Sequence, residues 1–310
     1  MSEFFIELFS EEIPANLQNK TRQDFFQNLK EFLEKEDIKY SGESSAFSIP
    51  NRLIVYFQNI SKKIIKKENE IRGPNINAPE DALNGFLKSY KISIDKTYKK
   101  KTDKGEFYFF KKPSESIETK FVLQKNLPKI LDKTSWKKSM RWADHELYWG
   151  RPLKSILCCF NNKILEFEYH HLVSSNITFI DKDFEQKTKK FVRFKDYLAF
   201  FRSQNIILDN KKREQFIVDQ LNRIAKKENL KIHFNSTLLN EVTNIVEKPN
   251  IIKCRFNKRF LEIPDDILVT TMQVHQKYFP TFDSRDNLTN NFFLVADNKD
   301  SKGLIKIGNE

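Results

Sequence analysis

The sequence predicts an α+β chain of several lobes, with mostly antiparallel sheets and packed helices, on three observations. Short β-rich runs face one another across tight polar turns. Helical stretches with apolar residues every three or four positions fall between them. The two kinds of element alternate without the steady βαβ rhythm of a doubly wound parallel sheet. At 310 residues and roughly 150 per domain, there is room for about two domains, each with its own core. The first lobe is placed at 1–175 and the second at 176–310, with the polar, basic stretch from Ser174 to Lys190 as their junction.

The opening run FFIELF reads as a strand. Pro14 then enters a helix in which Phe25, Phe26, Leu29, Phe32 and Leu33 form an apolar stripe, read as core. Glu11 and Glu12 diverge if extended, so they are read as anions capping that helix rather than as an acid–base pair. Strand-like runs follow at AFSIPNRLIVYFQNI, where Pro50 marks an edge or bend, and at FYFFK after a turn at Gly105. Between them Pro79-Glu80-Asp81 starts a short helix, with acids at its positive end. SILCCF, the turn Asn161-Asn162 and KILEFEYHHL make a hairpin. Beyond the junction, Phe216, Ile217, Leu221 and Ile224 mark an amphipathic helix, and Pro264-Asp265-Asp266 opens another that carries Met272 and His275. KYFPTFD and NNFFLVAD form a last strand pair around Arg285-Asp286-Asn287.

Composition excludes several classes. With 39% hydrophobic residues, 31% charged residues and a mean hydropathy of −0.60, the chain reads as soluble and globular. Its apolar runs stop well short of the ~20 residues that cross a bilayer, so no membrane partner is expected. An acidic N-terminus disfavours a secretory signal, which leaves the cytoplasm as the expected location. Adjacent Cys158 and Cys159 and solitary Cys254 suggest neither a disulfide framework nor a zinc ligand set.

Charge is asymmetric. The net charge is +12, yet residues 1–50 hold ten acids and five bases, so the remainder carries +17. Basic runs occur at Lys62, Lys63, Lys66 and Lys67, at Lys99 to Lys101, at Lys187, Lys189, Lys190, Arg193 and Lys195, and at Lys211, Lys212 and Arg213. Phosphate backbone is the natural partner of such runs. The competing reading is lysine decorating ordinary solvated faces in a chain rich in Lys, Asn, Ile and Phe.

Catalytic signatures are missing. The seven glycines never form GxGxxG or a P-loop, so neither kind of nucleotide site is predicted. The five histidines lack an i, i+4 partner and read as structural, with His275 in MQVHQKYFP as the one weighed for a functional contact.

Several segments in order resemble the beta subunit of the bacterial two-subunit glycyl-tRNA synthetase. They are Phe5-Ile6-Glu7-Leu8, Glu11-Glu12-Ile13-Pro14-Ala15, Pro50-Asn51-Arg52-Leu53, and Arg72-Gly73-Pro74 with Ala82, Gly85 and Phe86. Lys138-Ser139-Met140-Arg141-Trp142 followed by Gly150-Arg151-Pro152-Leu153 is similar to the family's central motif. The most distinctive stretch comprises Leu238 to Thr243, Val246-Glu247-Lys248-Pro249 and Met272 to Pro280. Two departures stand out. The chain reads Asn176-Ile177-Thr178-Phe179 where the family usually has Gly-His-Arg-Phe, and Lys248 where Trp is common. It stops at Gly308-Asn309-Glu310, where the family continues into further helices, a His-Asp-type domain and an anticodon-binding domain, so the resemblance implies an N-terminal part.

The resemblance implies a non-catalytic subunit that binds tRNA(Gly). In the family, two alpha subunits activate glycine with ATP and two beta subunits supply much of the tRNA binding, so ATP is expected on the alpha subunit and neither a catalytic residue nor a metal on this chain. Candidate tRNA contacts are Arg52, Arg72, Arg141, Trp142, Arg151, His275, Lys277 and Tyr278. The arginines suit bidentate phosphate contact or buried carboxylate pairing, and for Arg151 the two readings are even. Trp142 and Tyr278 read first as core and second as stacking platforms for bases. Two alternatives remain: a stand-alone RNA-binding module, and a tRNA-directed hydrolase using His275 with Glu241 or Glu247.

Overall fold

In the computed structural model, which describes residues 2–66, 68–180 and 187–297, FFIELF becomes strand β1 (Phe4–Ser10). All its residues are buried. Strand alternation sends Phe4, Ile6 and Leu8 to one core and Phe5 to another on the opposite face, so an uninterrupted apolar run is what this position needs. Helix α1 (Ala15–Lys35) packs Phe25, Leu29 and Leu33 into the first core, with Phe26 and Phe32 at its margin. Its N-cap is Pro14, without a side-chain cap bond, and the Glu11 carboxylate lies 3.7 Å from Lys154. Glu11 thus makes an ion pair just past the end of β1.

Strands β2 (Ser44–Ile49) and β3 (Arg52–Phe57) form a hairpin that turns at Pro50-Asn51. The chain then builds an outlying group of elements: β4 (Lys63–Lys66), β5 (Asn69–Asn75), α2 (Glu80–Tyr90), β6 (Thr97–Thr102), β7 (Gly105–Lys112) and β8 (Glu115–Glu118). Strand β4 pairs with β8, and β5, β7 and β6 make a three-stranded sheet. Helix α3 (Thr119–Asp132) returns to the first core through Leu123, Leu127 and Leu131.

Strand β9 (Leu153–Phe160) lies beside β1, and its Cys158 and Cys159 face opposite cores. Burial raises both thiols, Cys159 to about 12, so neither is poised as a nucleophile. Asn161 and Asn162, both at positive φ, turn the chain into β10 (Lys163–Ile164), completing a five-stranded antiparallel sheet in the order β10-β9-β1-β3-β2. The predicted second hairpin strand ends there, because the Ser174 hydroxyl takes the Leu165 carbonyl and the Phe167 N–H that a ladder would otherwise use. The rest of that run splits into β11 (Glu168–Tyr169) and β12 (Leu172–Val173), a separate pair.

Strands β13 (Ile177–Phe179) and β14 (Thr188–Lys190) pair within the predicted junction, of which residues 181–186 lie outside the described part, as do Lys67, Gly303 and Gly308-Asn309-Glu310. Helix α4 (Phe194–Ser203) covers the second face of the large sheet with Phe194, Tyr197 and Phe201. Helices α5 (Asn210–Lys227) and α6 (Ser236–Ile245) share a third core with β15 (Asn250–Arg255), β16 (Phe279–Phe282) and β17 (Leu288–Ala296), a sheet ordered β15-β17-β16. Helix α7 (Asp265–Thr270) passes directly into a π-helical turn, Thr271–His275. Every paired strand described is antiparallel, so the α+β expectation holds. Among the described residues no helix is long and apolar enough to cross a membrane.

Candidate nucleic-acid interface

The segment from Trp136 to Arg151 has little regular structure, yet tryptophans fix it. Met140 and Trp149 exchange backbone hydrogen bonds of 2.8 and 3.1 Å. Trp149 is buried, and Trp136 meets it edge-on with ring centroids 5.1 Å apart. Gly150 is required by this packing, because a Cβ there would fall 2.1 Å from the Trp136 ring. The closed loop presents Lys137, Lys138 and Arg141 to solvent, with Trp142 half-buried beside them. No ion pair among the described residues engages these three cations. Arg151, half-buried, donates to the Gly150 carbonyl at 3.0 Å.

Two histidines complete the platform. The imidazoles of His145 and His171 stack with centroids 3.5 Å apart and planes 3° from parallel, and Trp142 stands edge-on to both. Partial desolvation, followed by the neighbouring His145 and His170, lowers the pKa of His171 below its ordinary value. Sequence reasoning missed this pair because the partners are far apart in the chain and neither has a local signature. Trp142 itself packs against the first core, and the group sets three rings beside exposed cations, the kinds of side chain that hold single-stranded bases and their phosphates.

The remaining candidates scatter. Arg72 on β5 is exposed and lies flat over the Phe107 ring, 3.5 Å from its centroid, which fixes a cation on the outlying sheet. Arg52 is 1% exposed. Its Nε donates to Glu7 at 3.1 Å, an Nη donates to the Phe179 carbonyl, and the guanidinium lies between the rings of Phe9 and Phe201. Of the two readings given to the arginines, Arg52 takes the buried ion pair. Glu7 also accepts from Thr178 and Tyr197, and Glu247 lies 4.0 Å from Arg52. Thr178 and Phe179, on β13, thus contact the buried charge pair directly.

Tyr278 takes the core reading, stacked on Phe292 at 4.6 Å. Lys277 reaches Glu241 at 2.8 Å and the Val274 carbonyl at 2.7 Å, while His275 is exposed at the end of the π-helical turn. Glu241 and Glu247, the carboxylates considered for hydrolysis with His275, therefore serve Lys277 and the Arg52 cluster. Among the described residues no group of three or more His, Cys, Asp or Glu side chains is arranged to hold a metal.

Comparison with known proteins places the chain in a family. The family described as the glycyl-tRNA synthetase beta subunit matches residues 4–310. Curated relatives include the glycine–tRNA ligase beta subunits of Rickettsia felis, 34% identical over 313 residues, and of Rickettsia peacockii, 35% identical over 311 residues. That of Rickettsia prowazekii is 35% identical over 312 residues. Each alignment covers 100% of this chain and 46–47% of the relative, so the chain spans about half the length of the curated relatives it matches.

Proposed function

We propose, for a chain that belongs to the glycyl-tRNA synthetase beta-subunit family, that it binds tRNA(Gly) and leaves bond formation to an alpha subunit. In this reading two alpha and two beta subunits work together in the cytoplasm. The alpha subunit uses ATP to make glycyl adenylate, and the beta subunit holds the nucleic acid that receives glycine.

The observation that carries the reading is the loop from Trp136 to Arg151, where Lys137, Lys138 and Arg141, exposed and not ion-paired among the described residues, adjoin the segment of the Trp142, His145 and His171 rings. Cations neutralise phosphates and release counterions. The aromatic group supplies a sequence-tolerant surface for an unstacked base. Arg72, held over Phe107, adds a phosphate contact on a separate sheet.

The test has two parts. tRNA(Gly) binding to the chain should weaken steeply with salt, and an affinity indifferent to ionic strength would refute an electrostatic grip on RNA. Glycylation assayed without an alpha subunit should give no product. Aminoacyl ester formed by the chain alone would overturn the division of labour.

A further inference from the structure

A second concentration of charge lies away from the tryptophan loop. A cleft of about 410 Å³ opens where β4, the first turn of α3 and the β9–β10 turn converge, lined by Lys62, Lys63, Glu118, Lys120, Asn161 and Lys163 among others. Four exposed lysines from three parts of the chain thus line one cleft with a single acidic residue, Glu118. No ion pair among the described residues engages any of the four, and the closest ring contact is Lys120 over Phe121 at 4.8 Å.

Backbone geometry strengthens the field. The first-turn N–H groups of a helix lack intrahelical acceptors and carry its positive dipole end, and Glu118 and Lys120, which flank the first residue of α3, line this cleft. Thr119 is fully buried, its N–H bonds the Lys62 carbonyl at 2.9 Å, and its hydroxyl has no partner. Lys163 follows the two-residue Asn161-Asn162 turn, whose paired positive φ values make a tight connection.

Another lysine-rich cleft supplies the contrast. The cavity of about 690 Å³ lined by Lys91, Lys96, Lys111 and Lys112 is partly neutralised by the protein itself, since Lys111 lies 3.7 Å from Glu68 and Lys112 lies 3.6 Å from Glu115. In the Lys62 cleft a single carboxylate, Glu118, faces four lysines, and among the described residues none of the four is ion-paired, so a net positive charge is left for an external anion. Lysines spread over three elements suit a chain of phosphates better than one chelated ion, because each is a point charge on a flexible stem.

We infer that the cleft formed by Lys62, Lys63, Lys120 and Lys163 binds consecutive phosphodiesters of an RNA backbone, an inference that rests on the tRNA-binding reading above. The test compares the full chain with its K62Q/K120Q/K163Q variant and, as a matched charge control, K91Q/K96Q/K112Q, titrated with tRNA(Gly) over a salt series. Each lost phosphate contact lowers the slope of log affinity against log salt by about 1, so the cleft variant should lose about 2 to 3 and the control less than 1. K163Q alone, a single exposed change, should lose about 1 and guards against a misfolded triple variant.

A wild-type chain with no salt-sensitive tRNA binding refutes the broader reading. A wild-type chain that binds, beside a cleft variant with an unchanged slope, refutes the cleft alone. Equal losses in both triple variants would reduce the effect to net charge and overturn the assignment. Saturable inorganic pyrophosphate binding that only the cleft variant abolishes, with the tRNA slope intact, would give the cleft to a small anion instead.

Discussion

Arginine does opposite work at the centre of the large sheet and on the loop from Trp136 to Arg151. Arg52 in the sheet and Arg213, which reaches the edge strand β2 from α5, are almost wholly buried and have their donors taken by Glu7 and by backbone carbonyls. The Arg213 guanidinium reaches the carbonyls of Thr243 at 2.7 Å and Ser48 at 2.9 Å, and desolvation followed by repulsion from Arg22 lowers its pKa to about 10. On the loop, Arg141 is exposed and engages no carboxylate among the described residues. The same side chain joins segments in one place and is available to a partner in the other. Burial and partner count, not residue type, separate the roles.

That contrast is most sharply tested at Arg52. Arg52→Met removes one member of a buried pair and leaves Glu7 uncompensated, so urea unfolding should show a loss of about 3–5 kcal/mol, much of it recovered in the E7M/R52M double variant. A loss below 1 kcal/mol would mean that Glu7 is satisfied by Thr178 and Tyr197 alone. Trp142→Ala should act mainly on binding, lowering tRNA(Gly) affinity by about 1–3 kcal/mol if a base stacks there. Equal effects on stability and affinity would make Trp142 another core residue. Arg141→Gln should lower the salt slope for tRNA by about 1 and leave the unfolding midpoint in place.

The smallest expected effect belongs to the stacked imidazoles. Nuclear magnetic resonance titration should place the midpoint of His171 below its ordinary 6.5, and His145→Ala should move it back upward. A folded-state pKa below the unfolded one means that the folded chain prefers the neutral ring. Stability from this group is therefore complete above about 6.5 and is lost as pH falls through the lowered midpoint. A midpoint above 6.5 would show that the stack does not persist in solution.

Local pattern made much of the fold legible. The double-sided burial of FFIELF, the stripe from Phe25 to Leu33 and the Asn161-Asn162 turn each follow from spacing or turn chemistry alone. The fate of KILEFEYHHL did not, because Leu165 and Phe167 alternate inward like a strand while a single serine hydroxyl, at Ser174, takes the Leu165 carbonyl and the Phe167 N–H. The site was legible only as charge and aromatic content. Arg52 and Arg141 look alike in sequence, and their separation depends on Glu7, Phe179 and Phe201, which only the fold brings to Arg52. The His145–His171 stack and the Lys120 and Lys163 contributions to the basic cleft are likewise products of long-range assembly.

The place of β1 between β3 and β9 bears on how the chain is born. Phe4 pairs with Phe57 on one side and with Phe160 on the other. At ribosomal speeds of about 5–20 residues per second, the second neighbour emerges roughly 10–30 s after the strand that awaits it. Until then a greasy ribbon has one uncovered edge, so nascent chains stalled before residue 153 should be strong clients of chaperones, and released ones should shed that dependence.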